Sequence, residues 1–497
     1  MPEQQSPPPP IVLQILLVAL LSLGQFLDTF NSSAFFAAIP SIAKDIHLQK
    51  NSTVWLVSAY QITFSSFLLL SGRITDVYNP KFIMITGSTL FGILSLVTGF
   101  VRNPVIFLVL RALIGIAATL TIPSALNLIS SNFEDRSRAF ALAAFGGSAA
   151  LGNVFGLILG ALFTQFTHWP WIFFFEAAVA LPIALLSVAV IPSQQHGRTL
   201  KTRDLDWAGV ILLTALLLLF ILAITSGSTY GWKSLIVILP LTFSAILAVL
   251  FGIWELHRSA AGREAAIPSS VWKYRNFRIL MLIALAPFLW LTIVFLTFTT
   301  LWQNVYQWTP LAAAIHLLPI GIFAVVTMAI SGRLATTKIH AKWVILCGQL
   351  LVVGGTALLP FADRPARYWT YAFPGFGIAT IGTAVVYTRS NIATLQSMPT
   401  ELAGTAGALF STSLQFGATI GVAAITAVQS NVGEHSSNIY QGSSAGFWCL
   451  FGFSAALACA TAIFYRIDLP TGNTEGTMSS ETESSEGKCD VLSVSNL

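Results

Sequence analysis

The chain has 497 residues, of which 55% are apolar and 9% are Asp, Glu, Lys or Arg, with a mean hydropathy of +0.76. A water-soluble domain carries about a quarter charged residues, so a chain this poor in charge would have an apolar exterior as well as an apolar core, and lipid is the solvent it suits. The net charge of +5 forms no basic stripe outside short connections, which argues against nucleic acid as a partner. The four cysteines, Cys347, Cys449, Cys459 and Cys489, have neither metal-ligand nor disulfide spacing.

Met1 to Pro10 is polar and proline-rich without a basic residue, unlike the start of a secretory signal, and the apolar run from Ile11 is too long for one. It reads as a retained first helix. About 20 mostly apolar residues cross a bilayer as a helix, and fourteen such runs follow in chain order. The first six are 12–38, 53–71, 82–101, 105–130, 139–163 and 171–191. A pair follows at 207–226 and 235–256, then six more at 279–301, 311–331, 342–361, 369–390, 402–428 and 444–465. No ten-residue alternating segments suggest a barrel. The expected fold is therefore all-α: a polytopic membrane protein of 14 transmembrane helices, two six-helix halves plus an inserted helix pair.

The expected organisation is a cytoplasmic N-terminal tail (1–10), a first half (11–192), a cytoplasmic linker (193–206) and the inserted pair (207–257). A second linker (258–278), the second half (279–466) and a disordered cytoplasmic tail (467–497), rich in Ser, Thr, Glu and Gly, complete it. An internal repeat supports this grouping. Gly72-Arg73-Ile74-Thr75 is echoed by Gly332-Arg333-Leu334-Ala335 at an offset of 260, and Gly152, Gly156 and Gly160 by Ser413, Gly417 and Gly421 at 261. With both termini in the cytoplasm, eighteen Lys and Arg fall on the inner side and six on the outer, with Arg111 inside a helix, as the positive-inside bias requires. The sequon Asn51-Ser52-Thr53 falls outside but sits too close to the second span for use.

Four local patterns carry chemistry. The segment Gly72-Arg73-Ile74-Thr75-Asp76 to Lys81 reads as a loop after the second span, glycine allowing a tight exit from the helix and Asp76 an anion for a basic residue or a helix N-terminus. Leu110-Arg111-Ala112-Leu113-Ile114-Gly115 puts a costly guanidinium in the fourth span, where it faces a cavity or a partner, or snorkels to the headgroups. Gly152, Gly156 and Gly160 line one smooth face of the fifth span for close backbone contact. In the first span, Leu27-Asp28-Thr29-Phe30-Asn31 leads to Ala38-Ile39-Pro40, and Asp28 near mid-membrane is the proton-carrier candidate, because a carboxyl out of water is costly to ionise.

These patterns resemble, in turn, the loop between helices two and three, the intramembrane arginine motif and the antiporter signature of the major facilitator superfamily, and the helix-one motif of its fourteen-helix drug:proton antiporter branch. Departures are Val77, Asn79 and Pro80 in the loop, Ile114 for a common glutamine, and Leu157 and Ala161 in the fifth span. Asp206-Trp207-Ala208-Gly209, Trp302-Gln303-Asn304 and Thr309-Pro310-Leu311 are similar to the same branch, and the wording is that of its fungal members. The resemblance covers nearly the whole chain.

It implies proton-coupled export of a small organic or toxic compound by alternating access, with Asp28 and Arg111 coupling protons and Gly72, Arg73 and Asp76 forming a conformational latch. Asn31, Trp55 and Tyr60 are candidates to line the substrate path, though the aromatic pair would equally anchor the second span at the interface. Because the sixth helix is peripheral in the family, Glu176, beside the aromatic run Trp169 to Phe175, is expected at the membrane interface. His316 is expected to be satisfied by a single hydrogen bond, although histidine titrates near neutrality. Uptake or facilitated movement of a small solute such as ammonium or borate, and a transporter-like sensor, are the competing readings. No nucleotide-binding loop, metal cluster or catalytic triad points to an enzyme or a cofactor. The expected partners are the small-molecule substrate, protons and the bilayer, for a monomer in the plasma membrane.

Overall fold

The computed structural model describes residues 11–48, 52–133, 135–192, 206–260, 269–334, 339–398, 403–434 and 440–467. The expected N-terminal tail, linker 193–206 apart from its last residue, Asn51 of the sequon and the tail beyond Ile467 lie outside them. Among the described residues the chain is helical and has no strand. The first eight helices are α1 (Ile11–Asp45), α2 (Val54–Val77), α3 (Pro80–Phe100), α4 (Pro104–Asn132), α5 (Asp135–Phe166), α6 (Pro170–Val190), α7 (Trp207–Tyr230) and α8 (Leu235–Ala260). Then come α9 (Phe277–Ala284) and α10 (Ala286–Thr300), which with a π-turn at Leu301–Val305 make one span. They are followed by α11 (Pro310–Leu334), α12 (Ala341–Leu358), α13 (Phe373–Gln396), α14 (Ala403–Glu434) and α15 (Tyr440–Phe464).

Thirteen of these segments are long and apolar enough to cross a bilayer. The fourteenth expected span, 369–390, is the helix α13, whose Thr380, Thr383, Thr388, Arg389 and Ser390 lower its hydropathy. It lies against α11 and α12. Proline at the first helical position starts α3, α4, α6 and α11, where its missing N–H costs nothing. Asn79 and Asn103 cap α3 and α4 by accepting from the N–H of Lys81 and of Val105 and Ile106. α7 ends on Gly231 at φ +81°, a conformation that glycine adopts without strain. The helical hydrogen-bond ladder is interrupted between α9 and α10, where Pro287 has no N–H to continue it.

Helix pairing in the last six spans repeats that in the first six. α1 packs on α5 as α10 packs on α14, α2 on α4 as α11 on α13, and α3 on both α4 and α6 as α12 on both α13 and α15. Lys81 Nζ donates to the carbonyls of Val188 (2.8 Å) and Ile191 (2.6 Å) at the end of α6. Lys342, 261 positions later, donates to Ala462 O (2.7 Å) at the end of α15. Each lysine satisfies carbonyls that a helix C-terminus leaves open.

The glycines of α5 lie against α1: a Cβ on Gly152 would fall 3.1 Å from Phe26 Cα, on Gly156 2.7 Å from Phe30 O, and on Gly160 2.6 Å from Ala34 Cα. Such distances leave room for hydrogen alone, so the two backbones are in contact. In the second half Gly417 meets Leu285 in the same way, at 2.7 Å from its Cα.

The α7–α8 hairpin lies beside α2 and α14, with most of α8 facing lipid. Asp206 pins it: its carboxylate accepts from Gly209 N (3.0 Å) at the start of α7 and from Trp254 Nε1 (2.8 Å) on α8, with Arg258 Nε 3.9 Å away. Asp206→Ala removes a cap and leaves the buried indole N–H without its acceptor. It is expected to lower stability by about 2 kcal/mol, read as an earlier thermal unfolding midpoint in detergent.

One expectation is corrected here. Gly72, Arg73 and Asp76 do not form a loop; they continue α2, which ends at Val77, and Tyr78 and Asn79 alone connect it to α3. The hydroxyls hold the helix in register: Ser71 Oγ donates to Thr119 O of α4, and Thr75 Oγ1 lies 3.3 Å from Ser124 Oγ. A Cβ at Gly72 would meet open space, so no tight exit exists there for glycine to permit. The Asp76 side chain lies outside the described residues.

Candidate functional site

The face of the bundle on which α1 ends and α2 begins is called distal below, and the opposite face proximal. Halfway along α1, a buried polar cluster interrupts the apolar core of the first six spans. α1 contributes Asp28 and Asn31, α2 Tyr60, α3 Ser95, α4 Arg111 and α6 Glu176, none more than 5% exposed. Five of the first six helices thus each send a polar group to one point.

Two sub-clusters share it. In the first, the Tyr60 hydroxyl donates to Asp28 Oδ1, and no second hydrogen bond to that carboxyl is formed among the described residues. In the second, Asn31 is a bridge. Its Oδ1 accepts from Arg111 Nη1 (2.7 Å) while its Nδ2 donates to Glu176 Oε1 (2.8 Å), and Ser95 Oγ donates to Glu176 Oε2 (3.1 Å). The amide orientation follows from the charges on either side: the carbonyl end faces the cation and the NH₂ end the carboxylate. The guanidinium carbon lies 4.1 Å from the Phe35 ring centroid, 5.0 Å from Tyr60 and 6.0 Å from Phe173, so ring faces supply the rest of its surroundings. Arg111 Nε has no partner among the described residues.

One sequence expectation changes, that for Glu176, and one of the two readings of Arg111 falls away. Arg111 does not snorkel: it is 1% exposed and is directed into the bundle. Glu176 is not interfacial, since it is fully buried and faces Arg111 across Asn31. Its position beside aromatic residues suggested the interface, but those rings pack inward around α1 and α4, as the Phe30–Phe175, Phe35–Phe173 and Phe107–Phe173 pairs show. Asn31 and Tyr60, candidates for the substrate path, are both engaged by charged groups. His316 Nδ1 lies 2.7 Å from Ala312 O, a single hydrogen bond, with its ring between Trp308 and Tyr368.

Trp55, the third candidate for the substrate path, is half-buried on α2. Trp55 Nε1, Ser58 Oγ and Gln61 Oε1 are buried without a hydrogen-bond partner. Their three-residue spacing puts them on one face of α2. The spacing was visible in the sequence, but only the packing shows that these polar atoms have no partners.

At the distal end the first and second six spans meet. Gln303 Nε2 donates to Ala37 O (3.1 Å), Leu311 N donates to Gln165 Oε1 (3.1 Å), and Phe36 packs edge-on against Phe295. Nearer the middle of the bundle Gly321 of α11 faces Val154 of α5.

An all-helical bundle with a repeated six-helix pairing and buried charges in its first half is the architecture of a secondary transporter. The Major Facilitator Superfamily profile matches residues 21–422. The chain belongs to that superfamily and is a multi-pass membrane transporter. Its relatives include the puromycin resistance protein of Streptomyces alboniger, 28% identical over 90% of this chain and 89% of that one. A multidrug transporter of Aspergillus fumigatus is 26% identical over 88% and 85% of the two chains, and an efflux pump of Aspergillus terreus 23% over 93% and 90%. Among solved structures, a D-xylose–proton symporter superposes with a TM-score of 0.64 at 12% identity, covering 92% of this chain and 98% of that chain, a likeness of fold alone.

Proposed function

We propose that this transporter is an exporter that exchanges protons for a small organic compound by alternating access, with Asp28 carrying the proton. The observation that supports this most is the buried cluster itself, which holds two carboxyls, Asp28 and Glu176, and one guanidinium, Arg111. With Arg111 matched to Glu176 through Asn31, Asp28 is left without a cationic partner, so its charge is the one that uptake or release of a proton can change at least cost. The names of the relatives, among them puromycin resistance, multidrug transport and efflux, favour export of a toxic organic molecule. The unpartnered row Trp55, Ser58 and Gln61 on α2 would supply hydrogen bonds to such a substrate. The Lys and Arg bias favours cytoplasmic termini, so the distal face is the outer one, in the plasma membrane.

The test is flux in proteoliposomes under an imposed pH gradient, with puromycin as the first probe and a panel of lipophilic cations beside it. Asp28→Asn is expected to reduce gradient-driven accumulation to background while leaving substrate exchange at equal pH within about threefold. Gradient-driven accumulation that survives Asp28→Asn would remove Asp28 as the proton carrier.

A further inference from the structure

Among the described residues each half of the bundle has a small cavity between its helices, and the two sit at equivalent places. The first lies between α1, α3, α4 and α6 and is lined by Gly24, Asp28, Ser88, Phe91, Thr121 and Ala180. The second lies between the α9–α10 span, α12, α13 and α15 and is lined by Pro287, Gln349, Val352, Thr383 and Ser454. These are the first, third, fourth and sixth spans of either set. Lys81 and Lys342 make the same helix-end contacts 261 positions apart and so fix the register of α3 against α12. In that register Ser88 matches Gln349 and Phe91 matches Val352, also 261 apart. A void that recurs in both copies is a property of the fold and not a local packing fault.

Both cavities are polar enough to be wet. Each has room for about one water molecule. Gln349, 3% exposed, has neither amide atom hydrogen-bonded within the protein, an arrangement too costly for a dry cavity. In the first half the polar wall is Asp28. Its Oδ1 accepts from Tyr60 of α2, the helix that packs on α14 of the other half. Proximal to the cavity the bundle presents two more buried hydroxyls without partners, Ser22 on α1 and Ser187 on α6. They lie six residues before Asp28 and seven after Ala180, in each case about 10 Å along the helix toward the proximal face.

Resting on Asp28 as the proton carrier, we propose that its proton reaches and leaves it through the interior of the first six-helix bundle, by way of water in this cavity, and not along the path between the halves. The carboxyl O–H gives its proton to the cavity water, which passes one of its own toward the Ser22 and Ser187 level. The carboxylate that remains keeps its hydrogen bond from Tyr60. Proton and substrate then use separate routes and meet only through the position of Tyr60. The second cavity, whose polar wall is the neutral amide of Gln349 and includes no carboxyl, holds water but moves no proton.

The experiment follows the infrared carboxyl band of the full-length protein in lipid after a pH jump, with no substrate present. The band is assigned to Asp28 by its loss in Asp28→Asn. Ser88→Leu and Ala180→Val fill the cavity from α3 and α6 and leave Asp28 itself unaltered. Both are expected to slow the Asp28 response, Ser88→Leu by at least about tenfold and Ala180→Val by about threefold. Should Ser88→Leu fail to fold, the smaller Ala180→Val decides alone. An Asp28 band that responds at the wild-type rate in the folded cavity-filled variants overturns the route. A carboxyl spectrum that is unchanged by Asp28→Asn at every pH instead overturns Asp28 as the carrier, so the two failures are distinct.

Discussion

Arg111→Met is expected to abolish transport and to lower the stability of the protein by about 3–5 kcal/mol, because it leaves Glu176 and Asp28 as buried carboxyls with no cation. The size follows from how the charge is held. Arg111 is 1% exposed, donates to Asn31 and lies against three aromatic rings, so its removal strips a hydrogen bond, a cation–π contact and the counter-charge of Glu176 together. The double variant Arg111→Met/Glu176→Gln removes both charges and is expected to recover most of the lost stability but none of the transport. Thermal unfolding in detergent gives the coupling between the two sites as a double-mutant cycle. A coupling near zero would mean that Asn31 screens the pair completely, and the account of the cluster as a balanced charge set would fail. Arg111→Lys keeps the charge but not the planar fork that reaches Asn31 while stacking on Phe35, so it is expected to fold and to transport poorly.

Hydropathy made the number and order of the spans readable, because a helix in lipid must be apolar along about 20 residues whatever it packs against. It also placed Asp28, Arg111 and Glu176 within their spans. It did not give their direction. Glu176 was expected at the interface and is fully buried, since nothing in α6 alone says that Asn31 of α1 and Ser95 of α3 stand opposite it. Tyr60 was legible as an aromatic residue on α2, but its hydroxyl bond to Asp28 depends on how α1 and α2 face each other. The segment Gly72 to Asp76 looked like a loop because glycine and charges cluster there, yet the helix runs on through it, held by side-chain hydroxyl bonds to α4 from Ser71 and Thr75. The glycines of α5 were more readable, because a four-residue spacing on a helix has one geometric meaning: a flat face for a close neighbour. Which helix that neighbour is, α1, came from the fold.

Joining the halves covalently at the distal face is the second large effect. Cysteines at Gln165 and Leu311 replace a contact in which the Gln165 side chain accepts from the Leu311 N–H at 3.1 Å, and both positions are half-buried at the distal end, so a short thiol-reactive linker can reach and join them. The native Cys347, Cys449 and Cys459 are exposed and, with Cys489, are first changed to alanine so that they do not compete for the linker. If transport requires the distal end to open, the linked protein is expected to move less than about a tenth as much substrate as the unlinked one, and a cleavable linker restores the rate on reduction. A control pair within one half, at Asp45 and Arg102, whose exposed side chains lie 3.4 Å apart, should leave transport unaffected by the same linker. The comparison isolates relative motion of the halves from damage by the reagent. Full activity in the linked protein would mean that Gln165 and Leu311 stay together throughout the cycle. The Gln303 bond, the Gln165–Leu311 bond and the Phe36–Phe295 contact would then form a fixed hinge and not a gate.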